Sequence, residues 1–262
     1  SFGWASKLLG SSEQQPVRNI YALVRVADEI VDGAAAEAND NPAKLLDELE
    51  AETYRALASG FSTNLVVHAF AHTAREAGIK RDIIEPFFHS MRMDLTEREH
   101  DQKSFDTYVY GSAEVVGLMC LRAFIAGRES QYSPAEKEAL DQGALALGAA
   151  FQKINFLRDL AADNKSLGRS YFPGLDPKSL TNEKRNELVA DIRGELKTAA
   201  KSQRLLPVGA RRAVGAAQML FQVLNDLISI TPAEKLMTTR IRVPDWYKLV
   251  MMVRVTFGWF PR

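Results

Sequence analysis

The chain has 262 residues, 46% of them hydrophobic, and its 33 basic residues balance 33 acidic ones to a net charge of zero. That is enough apolar material for one large core, so a single domain over 1–262 is expected. The balanced charge provides no global field to draw in nucleic acid, and the one cysteine, Cys120, excludes an internal disulfide.

Apolar residues recur at helical spacing throughout, with no internal repeat, low-complexity linker or convincing alternating strand pattern. The expectation is all-α: a single-domain bundle of about ten helices. Ser1–Leu9 is short and amphipathic. Pro16 suits the first turn of the next helix and Gly33 its end. This helix carries RNIYALVRVADEIVD, in which Tyr21, Arg25, Asp28 and Asp32 step by 4, 3 and 4 residues along one face. Asn41-Pro42 opens a helix through about Leu57, and another runs from about Ser62 to Ala77, stopping at Gly78. On the latter, His68 and His72 have a metal-compatible spacing, with no third ligand apparent.

Asp82–Thr96 reads as a helix with a start or kink at Pro86. Glu97-x-x-His100 is half of a di-iron carboxylate motif, which needs two copies. Ser104 then suits the cap of a helix Phe105–Ile125. Its Gly111 and Gly117 either let helices approach closely or make room for a ligand, and Cys120 reads as a small buried hydrophobe. Ser133-Pro134 starts a long helix that ends in FQKINFLRDLAADNKS, where Gln152, Asn155, Asp159 and Asp163 step by 3, 4 and 4. After Pro173 come a polar connection and helices of about Asn182–Leu206 and Pro207–Ile230. There Arg193, Lys197, Lys201, Arg204, Arg211 and Arg212 read as solvated charge. A last helix, Asp245–Val255, leads into Trp259-Phe260. No run approaches the roughly 20 apolar residues of a membrane span. Residue 1 is Ser rather than Met, so the native start can lie further upstream.

The two polar stripes are the chemical signal. Carboxylates one turn apart repel by about 0.2–0.5 kcal/mol on an exposed helix. Burial raises that cost unless a positive charge lies between them. A hard divalent cation is the natural occupant, because Mg²⁺ takes oxygen ligands and commonly shares them with substrate phosphates. Two facing Asp-x-x-x-Asp pairs therefore describe a cavity in which Mg²⁺ clamps phosphate groups. Two amphipathic helices with ordinary acidic faces are the alternative.

The segments RVADEIVDG (Arg25–Gly33) and NFLRDLAAD (Asn155–Asp163) resemble the two aspartate-rich signatures of the squalene/phytoene synthase family. Gly168-Arg169-Ser-Tyr171-Phe-Pro173 is similar to the segment closing the second signature. Met91-Arg-Met-Asp94-Leu and YGSAEVVGLMC resemble a family core segment and the lining of its prenyl tunnel. The similarity runs from Ser1-Phe2 to Thr239-Arg240-Ile-Arg-Val-Pro244. It implies an isoprenoid-synthase bundle around a central prenyl-binding cavity.

By that resemblance, Asp28, Asp32, Asp159 and Asp163 hold Mg²⁺ (or Mn²⁺), with Asn155 as a further oxygen ligand. Arg25, Arg158 and Arg169 take diphosphate oxygens. Gln152, Tyr21 and Tyr171 orient diphosphate or the intermediate, Ser1 and Phe2 lie near a substrate diphosphate, and Arg240 matches a basic position. The implied reaction joins two prenyl diphosphates head to head through an allylic cation and a cyclopropyl diphosphate. The TTRIRVP and YGSAEVVGLM segments lean toward phytoene synthase acting on geranylgeranyl diphosphate. Squalene or dehydrosqualene synthase acting on farnesyl diphosphate is the alternative, and a catalytically silent assembly protein is a third. NADPH is not expected for phytoene synthesis, and there is no Gly-rich dinucleotide fingerprint. Near Leu220 many members carry a Tyr that this chain lacks. Lipid substrates imply a cytoplasmic protein in peripheral membrane contact, through Trp246, Tyr247, Phe257, Trp259 and Phe260, and downstream carotenoid enzymes as partners.

Overall fold

The computed structural model describes residues 6–32, 34–38, 40–166, 171–175 and 179–243, without the side chains of 6, 34, 36 and 161–166. The expected helix Asp245–Val255 and the aromatic C-terminus lie outside these residues. Among the described residues the structure is helical and contains no strand. The principal helices are α1 (Ser11–Val31), α2 (Pro42–Ser59), α3 (Leu65–Ala77), α4 (Arg81–Thr96), α5 (Gln102–Val109), α6 (Val115–Ile125), α7 (Pro134–Ser166), α8 (Asn182–Ser202) and α9 (Val208–Ile230).

Local chemistry sets most of the helix ends. Asn41, Asn64, Asp101 and Thr181 each accept a hydrogen bond from a backbone N–H of the first turn they precede. Ser133 and Glu136 bond reciprocally to each other's backbone N–H at the start of α7, a capping box. Gly60 and Gly78 end α2 and α3 with φ of 83° and 67°, a conformation that glycine adopts without a side-chain clash.

Four expectations about helix ends and continuity need correction. Asp101 caps α5, whereas Ser104 donates its N–H to that cap at 2.7 Å. Pro16 lies inside α1 rather than in its first turn. The carbonyl its missing N–H would have met belongs to exposed Ser12, where water can reach it. Pro86 likewise lies within a continuous α4. The expected helix Phe105–Ile125 is broken by a π-helical turn, Tyr110–Glu114, between α5 and α6.

The core has two main apolar bodies. One gathers Ile20, Leu23, Ala27 and Val31 of α1 with Phe70, Phe87 and Phe88. The other joins α5 and α7–α9 around Ile154, Leu157, Ile192 and Leu224. A smaller cluster that includes Val17, Phe124, Leu140 and Leu206 adjoins them. Helices α1 and α7, which carry the two acidic stripes, both pack on α6. Two helical stretches, Gln102–Ile125 and Val208–Ile230, are long and apolar enough to cross a membrane, contrary to the sequence reading. More than half of each apolar window is buried inside the fold, as in core helices.

Candidate active site

The α1 stripe flanks the helix's buried face, Val17, Ile20, Leu23, Ala27 and Val31. Tyr21 is 50% exposed, Arg25 and Asp32 are exposed, and Asp28 is partly buried. Arg25 pairs with Glu29 one turn on. Burial pushes the Asp28 carboxyl up to about 6, and the Asp32 carboxylate adds to the rise while Arg25 opposes it. The fold thus holds the Asp28 charge at a cost.

The α7 stripe is partly buried at Gln152, Asn155 and Asp159. Asp159 is clamped by two guanidiniums. Arg158 donates Nε at 3.1 Å and Nη2 at 2.5 Å, while Arg240, from beyond α9, places Nε at 2.6 Å and Nη2 at 3.3 Å from its two oxygens. Both contacts have the two-pronged geometry that arginine offers a carboxylate or a phosphate. The structure thus brings Arg240 to the adjacent pair Arg158 and Asp159, 81 residues away in sequence. The Asp163 side chain, Arg169, Ser1 and Phe2 lie outside the described residues. Among the described residues no three His, Cys, Asp or Glu side chains gather as a metal-sized group. The donor set is carboxylate and amide oxygen on two helices, chemistry that fits a hard divalent cation.

Tyr171 sits in a stack of aromatic rings. Its ring is parallel to Phe156 at 4.1 Å between centroids and lies near Tyr108 and His100 at 5.4 and 6.0 Å. Tyr108 donates its hydroxyl to both oxygens of buried Asp94, at 3.0 and 2.9 Å. Burial and the Asp94 charge raise the Tyr108 hydroxyl well above its usual range, so it remains a donor. Sequence reading passed over this Asp94–Tyr108 pair because its two residues lie on different helices. His100 is held by Ser104 Oγ at 2.9 Å and Glu97 at 3.4 Å, which gives the Glu-x-x-His motif a structural explanation. His72 pairs with Glu76 and His68 stacks edge-on with Phe61, so each histidine is engaged locally.

From Gln152 an apolar cavity of about 250 Å³ runs along α7. The amide of Gln152 donates to Ser112 Oγ of the π-turn at 3.2 Å, and both residues line the cavity. Leu147, Ala144 and Leu140 continue the wall, with Val116, Cys120 and Phe124 of α6 facing it. Burial pushes the Cys120 thiol up to about 12, so it acts as an apolar wall group. The glycines along this wall serve close approach. A methyl group at Gly117 would lie 2.6 Å from the carbonyl oxygen of Ala144, one at Gly148 2.6 Å from that of Ala113, and one at Gly111 2.1 Å from that of Pro86. The π-turn therefore lies in direct backbone contact with α4 and α7. Ser112 was missed at the sequence level because its importance comes from this packing.

Comparison with known proteins agrees with this architecture. The family model for squalene/phytoene synthase matches residues 1–247. A 15-cis-phytoene synthase of Synechococcus elongatus is 30% identical, the match covering 98% of this chain and 89% of that protein. Phytoene synthase 3, chloroplastic, of Zea mays is 29% identical over 96% of this chain, which spans only 61% of the maize protein's length. Among solved structures, a dehydrosqualene synthase in complex with ligand superposes with a TM-score of 0.77 at 19% identity, covering 98% of this chain and 90% of that one. With the family model spanning residues 1–247 and the two acidic stripes carried on helices that both pack on α6, this protein belongs to the squalene/phytoene synthase family.

Proposed function

We propose that this protein condenses two geranylgeranyl diphosphates head to head into phytoene, releasing diphosphate. The observation that carries the reading is the succession along α7 of a charged end, Asp159 with Arg158 and Arg240, and an apolar cavity that opens about two helical turns away at Gln152. A diphosphate ester with a long hydrocarbon tail has the same two-part chemistry. The preference for phytoene over squalene rests on relatives named phytoene synthase at about 30% identity.

In this reading Arg158 and Arg240 exchange their hold on Asp159 for diphosphate oxygens, and Arg25 does the same with its hold on Glu29. Asp28, Asp32, Asn155, Asp159 and Asp163 would hold Mg²⁺, which when bound supplies Lewis acidity to the departing oxygens. Gln152, positioned by Ser112, marks the boundary between the polar end and the tail. The wall from Leu147 to Leu140 excludes water, so the allylic cation meets the second substrate's double bond instead of a hydroxyl. Tyr21 and Tyr171 orient the reacting groups, and Arg169, Ser1 and Phe2 complete the diphosphate end. The protein would act as a single domain in peripheral contact with a membrane that supplies the lipid substrate. Incubation with Mg²⁺ and either C20 or C15 prenyl diphosphate, followed by mass spectrometry of the extract, tests the reading. A C40 hydrocarbon supports it, and a C30 product moves the substrate to farnesyl diphosphate.

A further inference from the structure

Between Leu196 and Asn225 the chain carries five basic residues, Lys197, Lys201, Arg204, Arg211 and Arg212, and no acidic one, in a protein whose net charge is zero. Earlier cations of α8 are matched: Lys184 pairs with Glu187 at 3.0 Å and Arg193 with Asp226 of α9 at 3.2 Å. None of the five forms an ion pair with a carboxylate among the described residues. The Arg193–Asp226 contact also fixes which faces coincide. Lys197 and Lys201 follow Arg193 at one-turn steps along α8, while Arg212 and Val208 lie about four and five turns before Asp226 along α9. Both rows therefore share one face of the α8–α9 hairpin. At its turn the Arg211 guanidinium donates to the carbonyls of Arg204 and Leu206, at 2.6 and 2.8 Å, which holds Arg204 beside α9. The N-terminal 3₁₀ turn Ser6–Leu8 packs against α9 and adds exposed Lys7. Amid these cations Val208 is 61% exposed. Beneath it Leu9, Leu206 and Ala213 line the apolar cavity. That end lies away from the charged site, since Gly143, which abuts Ser202, precedes Gln152 by nine residues of continuous α7, roughly 14 Å.

We propose that this face, with Lys7, Lys197, Lys201, Arg204 and Arg212 around Val208, is where the protein docks on a bilayer containing anionic lipid. This rests on the peripheral membrane contact proposed above and gives it a place on the fold and a lipid charge. Each unpaired cation attracts anionic headgroups, and exposed Val208 adds an apolar contact at the lipid–water boundary. A nucleic acid would use the cations but leave Val208 without a role. Docked this way, the tail end of the cavity lies nearer the lipid than the diphosphate end does.

The test is co-sedimentation of the full-length protein with phosphatidylcholine vesicles containing a quarter phosphatidylglycerol, against vesicles of phosphatidylcholine alone. The wild type should bind the anionic vesicles at least about tenfold more tightly, an advantage that added salt removes. Lys201→Gln/Arg204→Gln/Arg212→Gln should lose affinity by about a hundredfold, about fivefold for each charge, with an unchanged melting temperature. Lys7→Gln/Lys197→Gln should lose about twenty-five-fold, so the test stands even if the triple variant fails to fold. The same charge change at exposed sites elsewhere, Lys44→Gln/Lys80→Gln/Lys103→Gln, should cost less than about fivefold. Equal losses in the two triple variants trace the binding to net charge and overturn the proposal. Undiminished binding in the folded patch variants overturns it as well, leaving the membrane contact elsewhere on the protein. A wild type that binds neither vesicle removes the contact reading and the proposal together. Tighter binding of a single-stranded DNA oligonucleotide through the same cations assigns the face to nucleic acid, against the proposal.

Discussion

Replacing Asp28 by Asn removes a charge that the fold holds at a cost. The carboxyl is raised from 3.8 to about 6, chiefly by burial and then by Asp32. The folded state therefore binds this proton more tightly than the unfolded chain does. Stability is lost as pH climbs from the unfolded value through the folded one, and the whole loss is present at pH 7. At about 1.4 kcal/mol per pKa unit the rise corresponds to roughly 3 kcal/mol. Solvent still reaches part of the side chain, which brings the expected gain from Asp28→Asn to about 1–2 kcal/mol. In a chain of this size that is a rise of about 2–8 °C in melting temperature. Calorimetry at pH 7 in the presence of a chelator measures it, and the advantage should vanish near pH 4. Adding Mg²⁺ should raise the melting temperature of the wild type but not that of Asp28→Asn. A metal-free Asp28→Asn protein no more stable than wild type refutes the electrostatic argument, and an undiminished Mg²⁺ effect refutes the ligand assignment.

Other outcomes follow from particular contacts. Burial pushes the Glu114 carboxyl up to about 7, with Glu195 adding to the rise and Lys153 opposing it, so wild-type stability should fall between about pH 4.5 and 7. Urea midpoints across that range should show a shallower fall for Glu114→Gln. Gly148→Ala drives a methyl group into the backbone of Ala113 and should cost about 1–3 kcal/mol in thermal or urea unfolding. Gly194→Ala, with nothing within 4 Å of the added methyl, should stabilise α8 by about 0.5–1 kcal/mol in the same assay. Tyr108→Phe removes the hydroxyl that both Asp94 oxygens accept and should cost about 1–3 kcal/mol by urea denaturation, leaving helix content unchanged by circular dichroism.

What could be read from the sequence was what depends on near neighbours. The helices at Asn41 and Ser133, and the stop at Gly78, follow from caps and turns within a few residues. The two stripes were visible because i, i+4 spacing on one helix needs no knowledge of the rest of the fold. The π-turn was not legible, since it lies where Gly111 meets the Pro86 backbone and Ala113 meets Gly148, contacts made only in the folded chain. The clamp on Asp159 was half legible: Arg158 is its neighbour in sequence, but Arg240 reaches it only through the tertiary fold. The alternative readings of Gly111 and Gly117 are decided by the direction in which each absent side chain would point, toward a neighbouring backbone.

The most direct measurement of the central claim is the stoichiometry of diphosphate release from geranylgeranyl diphosphate in the presence of Mg²⁺. Two diphosphates should appear for each C40 hydrocarbon formed, and none in the presence of a chelator. Release of one diphosphate for each C20 alcohol would mean that water reaches the cation, and the absence of any release would mean that the charged end does not ionise this substrate. Either result contradicts the account.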